Sequence, residues 1–283
     1  MARDGVELAE RVFLVTGANT GIGRVTAHEL ARRGGHVVLA CRSESKTAPV
    51  IDAIKRDTGN DNVEFLALDL GNFVSIRAAA RSFLDTGKPL HGLINNAGLA
   101  GQRGVTDSGF ERAFGVNHVG HFLLTKLLLD RLRESAPARV VTVASKAHFD
   151  AEGIDYEAVR RKTKTVTGVP EYGVSKLANV LFSAELARRV EGSGVSTYSL
   201  HPGVVASDVW RKVPWPVRSI MKMFMISVEQ GAQTTLHCAT SDEVAGETGL
   251  YYDKCKSRHP SRVAQDTALA KDLWDKSEAW VSG

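Results

Sequence analysis

From residue 11 onward, short apolar runs alternate with longer stretches whose apolar positions recur every three or four residues. Residues 11–16 carry Val12, Phe13, Leu14 and Val15 in succession, the pattern of a strand buried on both faces. A glycine-rich turn follows, then a helical pattern over residues 24–33 that stops at Gly34 and Gly35. The spacing predicts further strands at 36–40, 62–68, 90–94, 139–144 and 195–200, and helices at 45–57, 73–84, 110–133, 174–190 and 263–280. Strands that alternate with helices of ten or more residues imply a doubly wound, Rossmann-like parallel α/β sheet with helices on both faces and right-handed crossovers. No repeat, low-complexity tract or composition break divides the 283 residues, so one domain over 1–283 is expected.

Composition narrows the chemistry. With 36 basic and 32 acidic residues the chain is mildly basic, and no dense Lys/Arg tract with interleaved aromatics points to nucleic acid. Cys41, Cys238 and Cys255 form no CxxC pair and the nine histidines no HExxH motif, so no metal site is expected. The first ten residues are polar, and no apolar run approaches the ~20 residues that span a bilayer. A soluble, cytoplasmic protein is the expectation.

The polar and glycine residues gather where strands end. Gly17, Gly21 and Gly23 follow the first strand with the spacing G-x-x-x-G-x-G, which differs from the G-x-G-x-x-G fingerprint. Glycines there let a backbone approach a pyrophosphate at a helix N-terminus. The second strand ends in Arg42 and Ser43 with no carboxylate before Glu44, which favours the 2′-phosphate of NADP over the ribose hydroxyl of NAD. Asp69 closes the third strand, suited to an adenine amino group, and Asn95, Asn96, Ala97 and Gly98 close the fourth. Tyr172 and Lys176 sit at i and i+4 on a helix, so an ammonium stands beside a phenol and favours phenolate.

Taken in order, Thr16-Gly17-xxx-Gly21-Ile22-Gly23, Asp69, Asn95-Asn96-Ala97-Gly98, Asn117, Ser145, Tyr172-xxx-Lys176 and Pro202-Gly203 resemble the signature of the short-chain dehydrogenases/reductases. The likeness covers roughly residues 10–255. Leu39-Ala40-Cys41-Arg42, Val116-Asn117-His118-Val119-Gly120-His121-Phe122, Ser145-Lys146-Ala147-His148 and Ser175-Lys176-Leu177-Ala178-Asn179 are similar to the retinol-dehydrogenase-type group within it. Glu229-Gln230-Gly231-Ala232-Gln233-Thr234 and Gly249-Leu250-Tyr251-Tyr252 extend that likeness. Ser145 and Tyr172 stand 27 residues apart, a longer gap than is usual in the wider family, filled by the polar segment 146–171. One departure is the absence of the N-terminal membrane anchor that members of the group often carry.

The resemblance implies an NADP(H)-dependent oxidoreductase acting on a lipophilic alcohol, aldehyde or ketone. It implies cofactor contacts from Gly17, Asn19, Thr20, Gly21, Ile22, Gly23, Arg42, Ser43, Asp69, Leu70, Asn96, Ala97, Gly98, Tyr172, Lys176, Pro202, Gly203 and Val205. It also implies a catalytic set: Tyr172 passes a proton to the carbonyl oxygen, Ser145 holds that oxygen, Lys176 lowers the Tyr172 pKa and binds the ribose, and Asn117 holds a relay water. The rival readings are a broad carbonyl reductase that ignores retinoids and a non-catalytic nucleotide sensor, which would need no proton donor. Segment 204–228, rich in Met, Trp and Phe, fits a substrate cover, an oligomer-facing helix or a peripheral membrane contact through Arg211, Lys212, Arg218 and Lys222. Family members often form homo-oligomers.

Overall fold

The computed structural model describes residues 7–203 and 226–282. Its strands are β1 (Val12–Thr16), β2 (His36–Cys41), β3 (Val63–Ala67), β4 (Gly92–Asn95), β5 (Ala138–Val143), β6 (Val195–His201), β7 (Leu250–Asp253) and β8 (Lys256–Arg258). All belong to one sheet in the order β3-β2-β1-β4-β5-β6-β7-β8. Strands β1 to β7 pair in parallel. Between β1 and β4 the order reverses, and the crevice beyond their carboxyl ends is where such sheets take ligands.

Alternate residues of β1 feed two cores. Val12 and Leu14 join the cluster under α3 (Phe73–Asp85), α5 (Gly120–Glu134) and α6 (Val169–Arg189). Phe13 and Val15 join the cluster under α1 (Gly21–Arg32), α2 (Glu44–Thr58) and α7 (Val228–Thr240). With helices on both faces, both sets of side chains must be apolar, which is why the strand reads as an unbroken apolar run.

Three features depart from the expected pattern. Strand β8 runs antiparallel to β7, so the sheet is not wholly parallel. The two-residue link Lys254–Cys255 has φ of 54° and 57°, the geometry of a tight hairpin turn, and the exposed Lys256 and Arg258 discourage further pairing at that edge. The helix expected at 110–133 is instead a short α4 (Arg112–Phe114), a π-helical turn Gly115–Val119, and α5. Gly120 lies at the join because a Cβ there would stand 2.3 Å from the Leu70 carbonyl oxygen. Finally, α6 begins at Val169, with Pro170 in its first turn, so Tyr172 is already inside the helix.

The last helix, α8 (Thr267–Val281), packs along α6 and touches α5 through Trp274 and Glu278. Trp274 stacks on Phe182 at 5.9 Å and meets Phe122 edge-on at 4.9 Å. No helix among the described residues is long and apolar enough to cross a membrane. Replacing the buried Trp274 by Ala is expected to lower unfolding free energy by about 3–5 kcal/mol in a denaturant titration. A loss under about 1 kcal/mol would mean α8 is not part of the main core.

Candidate functional site

A cavity of about 630 Å³ opens at the carboxyl ends of β1 to β6. Its walls include Gly17, Asn19, Thr20, Gly21, Ile22, Gly23, Arg42, Ser43, Asp69, Leu70, Asn96, Ala97 and Gly98. Ser145, Tyr172, Lys176, Pro202 and Gly203 complete it, so the structure gathers these residues at one edge of the sheet. Val205 lies outside the described residues, as does most of segment 204–228.

The glycine turn is shaped by its neighbours. Gly17 has φ of +66° and passes so close to Ala97 that a Cβ would stand 2.9 Å from the alanine Cβ. A Cβ on Gly23 would be 2.4 Å from Asn96 Nδ2. The Thr16 hydroxyl ties the two strand ends together: it accepts from the amides of Asn96 at 3.0 Å and Ala97 at 2.9 Å. The first turn of α1 carries no acidic side chain, and Thr20 makes no side-chain cap bond. Its amide groups and dipole therefore favour an anion at this end. Arg42 is exposed on the wall and has no ion pair among the described residues, and Lys46 lines the same wall four residues on. These residues fit the phosphates of a dinucleotide. Lys46 was missed in the sequence because a first-turn lysine on α2 looks like a solvated charge.

Deeper in, α6 and β5 bring together two hydroxyls and an ammonium. The Tyr172 phenol and the Ser145 hydroxyl are hydrogen-bonded, and Ser145 Oγ also accepts from the Ala147 amide at 3.2 Å. Lys176 is 3% exposed; its ammonium donates to the Val143 carbonyl at 2.8 Å and stands 5.5 Å from the Tyr172 ring centroid. Asn117 does not line the cavity but lies just behind Gly98, where an added Cβ would meet both Asn117 Oδ1 and Lys176 Nζ at 3.5 Å.

Two expected roles look different in this geometry. Burial raises the Tyr172 pKa, and the Ser145 hydrogen bond opposes it. Burial also pushes Lys176 from 10.5 to about 7, so at neutral pH much of its charge is gone and its pull on the phenol is weakened. The Asn117 side chain is engaged by protein groups: its oxygen accepts from the Leu99 amide at 2.9 Å. Its nitrogen donates to Leu99 O at 3.0 Å and to Ser175 Oγ at 2.9 Å. Both amide hydrogens are thus used, and the side chain braces the turn after β4 against α6.

The Asn117 main-chain carbonyl is taken by His121, which the sequence reading did not assign. His121 Nδ1 donates to that carbonyl at 2.9 Å, leaving Nε2 to accept from Thr16 Oγ1 at 2.8 Å. Fully buried, it has its pKa lowered to about 4 and stays neutral. Only the separation of 105 residues between the partners hid this link.

The model of the family described as "short chain dehydrogenase" matches residues 11–215. Retinol dehydrogenase 12 of Mus musculus is 45% identical over 278 residues, covering 96% of this chain and 86% of the relative. A crystal structure from Mycobacterium Paratuberculosis superposes with TM-score 0.78 at 33% identity, over 99% of this chain and 96% of that one. The Pseudomonas aeruginosa RhlG/NADP active-site complex gives TM-score 0.70 at 26% identity, over 87% of this chain and 94% of that one.

The depressed Lys176 pKa has a consequence for stability. Below about pH 7 folded and unfolded chains both carry the ammonium, and the folded chain bears the full cost of burying it. Between about 7 and 10.5 the folded chain has lost a proton that the unfolded chain keeps, so the cost shrinks as pH rises. Without dinucleotide, Lys176→Met should therefore raise the thermal midpoint most below about pH 7, with a gain that fades toward about pH 10. A gain independent of pH would contradict the buried, titrating ammonium.

Proposed function

The chain belongs to the short-chain dehydrogenase family and is an oxidoreductase of alcohol and carbonyl groups, and from that premise we propose that it uses NADP(H) and acts on a lipophilic alcohol, aldehyde or ketone. The observation that carries the reading is the hydrogen-bonded Ser145–Tyr172 pair at the wall of the dinucleotide-shaped cavity, with Lys176 one helical turn behind. A bound nicotinamide supplies hydride chemistry; the proton is left to the protein.

In reduction, the substrate oxygen would take the place between the two hydroxyls. Ser145 holds it by a hydrogen bond, and Tyr172 gives up its phenolic proton as negative charge develops there. A raised pKa keeps Tyr172 protonated until that moment. Lys176, poised near neutrality by burial, can then return a proton toward the phenolate or donate hydrogen bonds to a ribose. Asn117 keeps the Gly98–Leu99 backbone in place beside Lys176.

The preference for NADP(H) rests on Arg42, Ser43 and Lys46 at the wall and on the lack of an acidic residue at the end of β2. The relative named retinol dehydrogenase 12 and the apolar composition of segment 204–228 support a lipophilic substrate. The absence of a long apolar run in the sequence is compatible with work in an aqueous compartment, with peripheral membrane contact left to that segment.

Tyr172→Phe should reduce kcat by about 10²–10⁴-fold while NADPH affinity, read by fluorescence titration, changes little. Full turnover in that variant would remove Tyr172 from the proton path. Arg42→Asp should lower the NADPH-to-NADH ratio of kcat/KM by about tenfold or more. An unchanged ratio would reject the phosphate role.

A further inference from the structure

His148 is completely buried (0% exposed), three residues after Ser145 in the short 3-10 turn Lys146–Asp150. Its Nδ1 lies 2.6 Å from the Ser145 carbonyl oxygen, and its Nε2 lies 3.0 Å from the Ser261 amide nitrogen. A backbone amide can only donate, so Nε2 presents its lone pair to Ser261. The single ring proton is then on Nδ1 and goes to Ser145. The two contacts fix the tautomer without further assumption, and burial keeps the imidazole neutral by lowering its pKa. The ring is packed against Phe149 at 4.2 Å and Tyr251 at 4.9 Å.

On the other side of the same peptide group, the Lys146 amide donates to Nδ1 of His201 at 3.3 Å. The Ser145 carbonyl also accepts from the His148 backbone amide at 3.1 Å, so the Ser145–Lys146 peptide is held on its oxygen by the ring and amide of one histidine and on its nitrogen by another histidine. The orientation of that plane fixes ψ of Ser145, 157°, and with it the direction in which the Cα–Cβ bond leaves the backbone, while the Ala147 amide holds Oγ at its end. A hydroxyl that must meet a reacting oxygen gains from being held in advance.

We propose that His148 is a positioning residue for Ser145: it locks the Ser145–Lys146 peptide through the Ser145 carbonyl and is itself oriented by the Ser261 amide, 113 residues away. The segment after β8 thereby becomes part of the site geometry without touching substrate. This rests on the reading that Ser145 and Tyr172 manage the proton.

Two substitutions separate the halves of the device. In His148→Asn the amide nitrogen falls where Nδ1 was, keeping the bond to Ser145 and losing that from Ser261. In His148→Gln the amide oxygen falls near Nε2, keeping Ser261 and losing the side-chain bond to Ser145; the backbone amide bond to that carbonyl is common to both variants. Both remove the ring from Phe149 and Tyr251, so a purely structural role would affect both alike. The expected result is a kcat for His148→Gln at least about tenfold below that of His148→Asn, with comparable Tm and with NADPH Kd within about twofold in both. Equal kcat values, or kcat that follows Tm, would overturn the proposal. Should either variant fail to fold, Ser261→Pro deletes the donor to Nε2 and leaves the imidazole in place; it should lower kcat by about threefold or more, and an unchanged kcat would overturn the proposal as well. Ser145→Ala is the reference: undiminished turnover there rejects the proton-handling reading itself. An inactive Ser145→Ala beside equal His148 variants rejects only the positioning role.

Discussion

A single carbonyl, that of Val143 at the end of β5, sets the geometry on which the site depends. It accepts from Lys176 at 2.8 Å and from Asn179 Nδ2 at 3.1 Å, both projecting from α6. These bonds fix the register of the helix on the strand. Two residues beyond Val143 stands Ser145, and one turn before Lys176 stands Tyr172, so fixing that register brings the two hydroxyls together. Burying an ammonium is costly, and the protein answers with a carbonyl partner and a pKa close to neutral. The same low-dielectric surroundings raise the phenol, so the two groups are shifted in opposite directions by one cause.

The dinucleotide half of the cavity is tied to this proton-handling half through Thr16 and His121. The Thr16 hydroxyl receives two amides from the turn after β4 and is bound by the imidazole, which grips the carbonyl of Asn117 in the π-helical turn. A regular α-helix would direct that carbonyl to an amide four residues on. Here that carbonyl lies in the wider turn and accepts from His121, in keeping with the tendency of π-bulges to occur at functional sites. Glycine loop, strand ends and π-helical turn are thus linked by one buried neutral histidine, and the Asn117 side chain carries the link on to α6 through Ser175.

Much of this was legible in the chain. Strands buried on both faces are continuous apolar runs, and glycines mark the turn at the end of β1, so the fold and the cavity walls follow from local pattern. The π-helical turn was not legible, because its residues keep helical spacing and differ only in how carbonyls are shared. Strand β8 is three exposed polar residues with no periodic signal. His121 and His148 act through partners more than 100 residues distant, Thr16 at 105 and Ser261 at 113. No spacing rule reaches that far, and an isolated buried histidine gives no hint of which group it orients. The burial that shifts Lys176 and Tyr172 in opposite directions was hidden for a related reason: adjacency on a helix was visible, burial was not.

The central claim is that the protein couples proton delivery from a buried phenol to oxidation of a bound NADPH. It is tested most directly by mixing the purified protein with NADPH and a graded series of apolar aldehydes, following NADPH absorbance and quantifying the alcohol formed. The account predicts catalytic turnover, one alcohol for each NADPH oxidised, with kcat/KM rising as the aldehyde becomes more apolar. Tight NADPH binding with no alcohol formed across the series would contradict it.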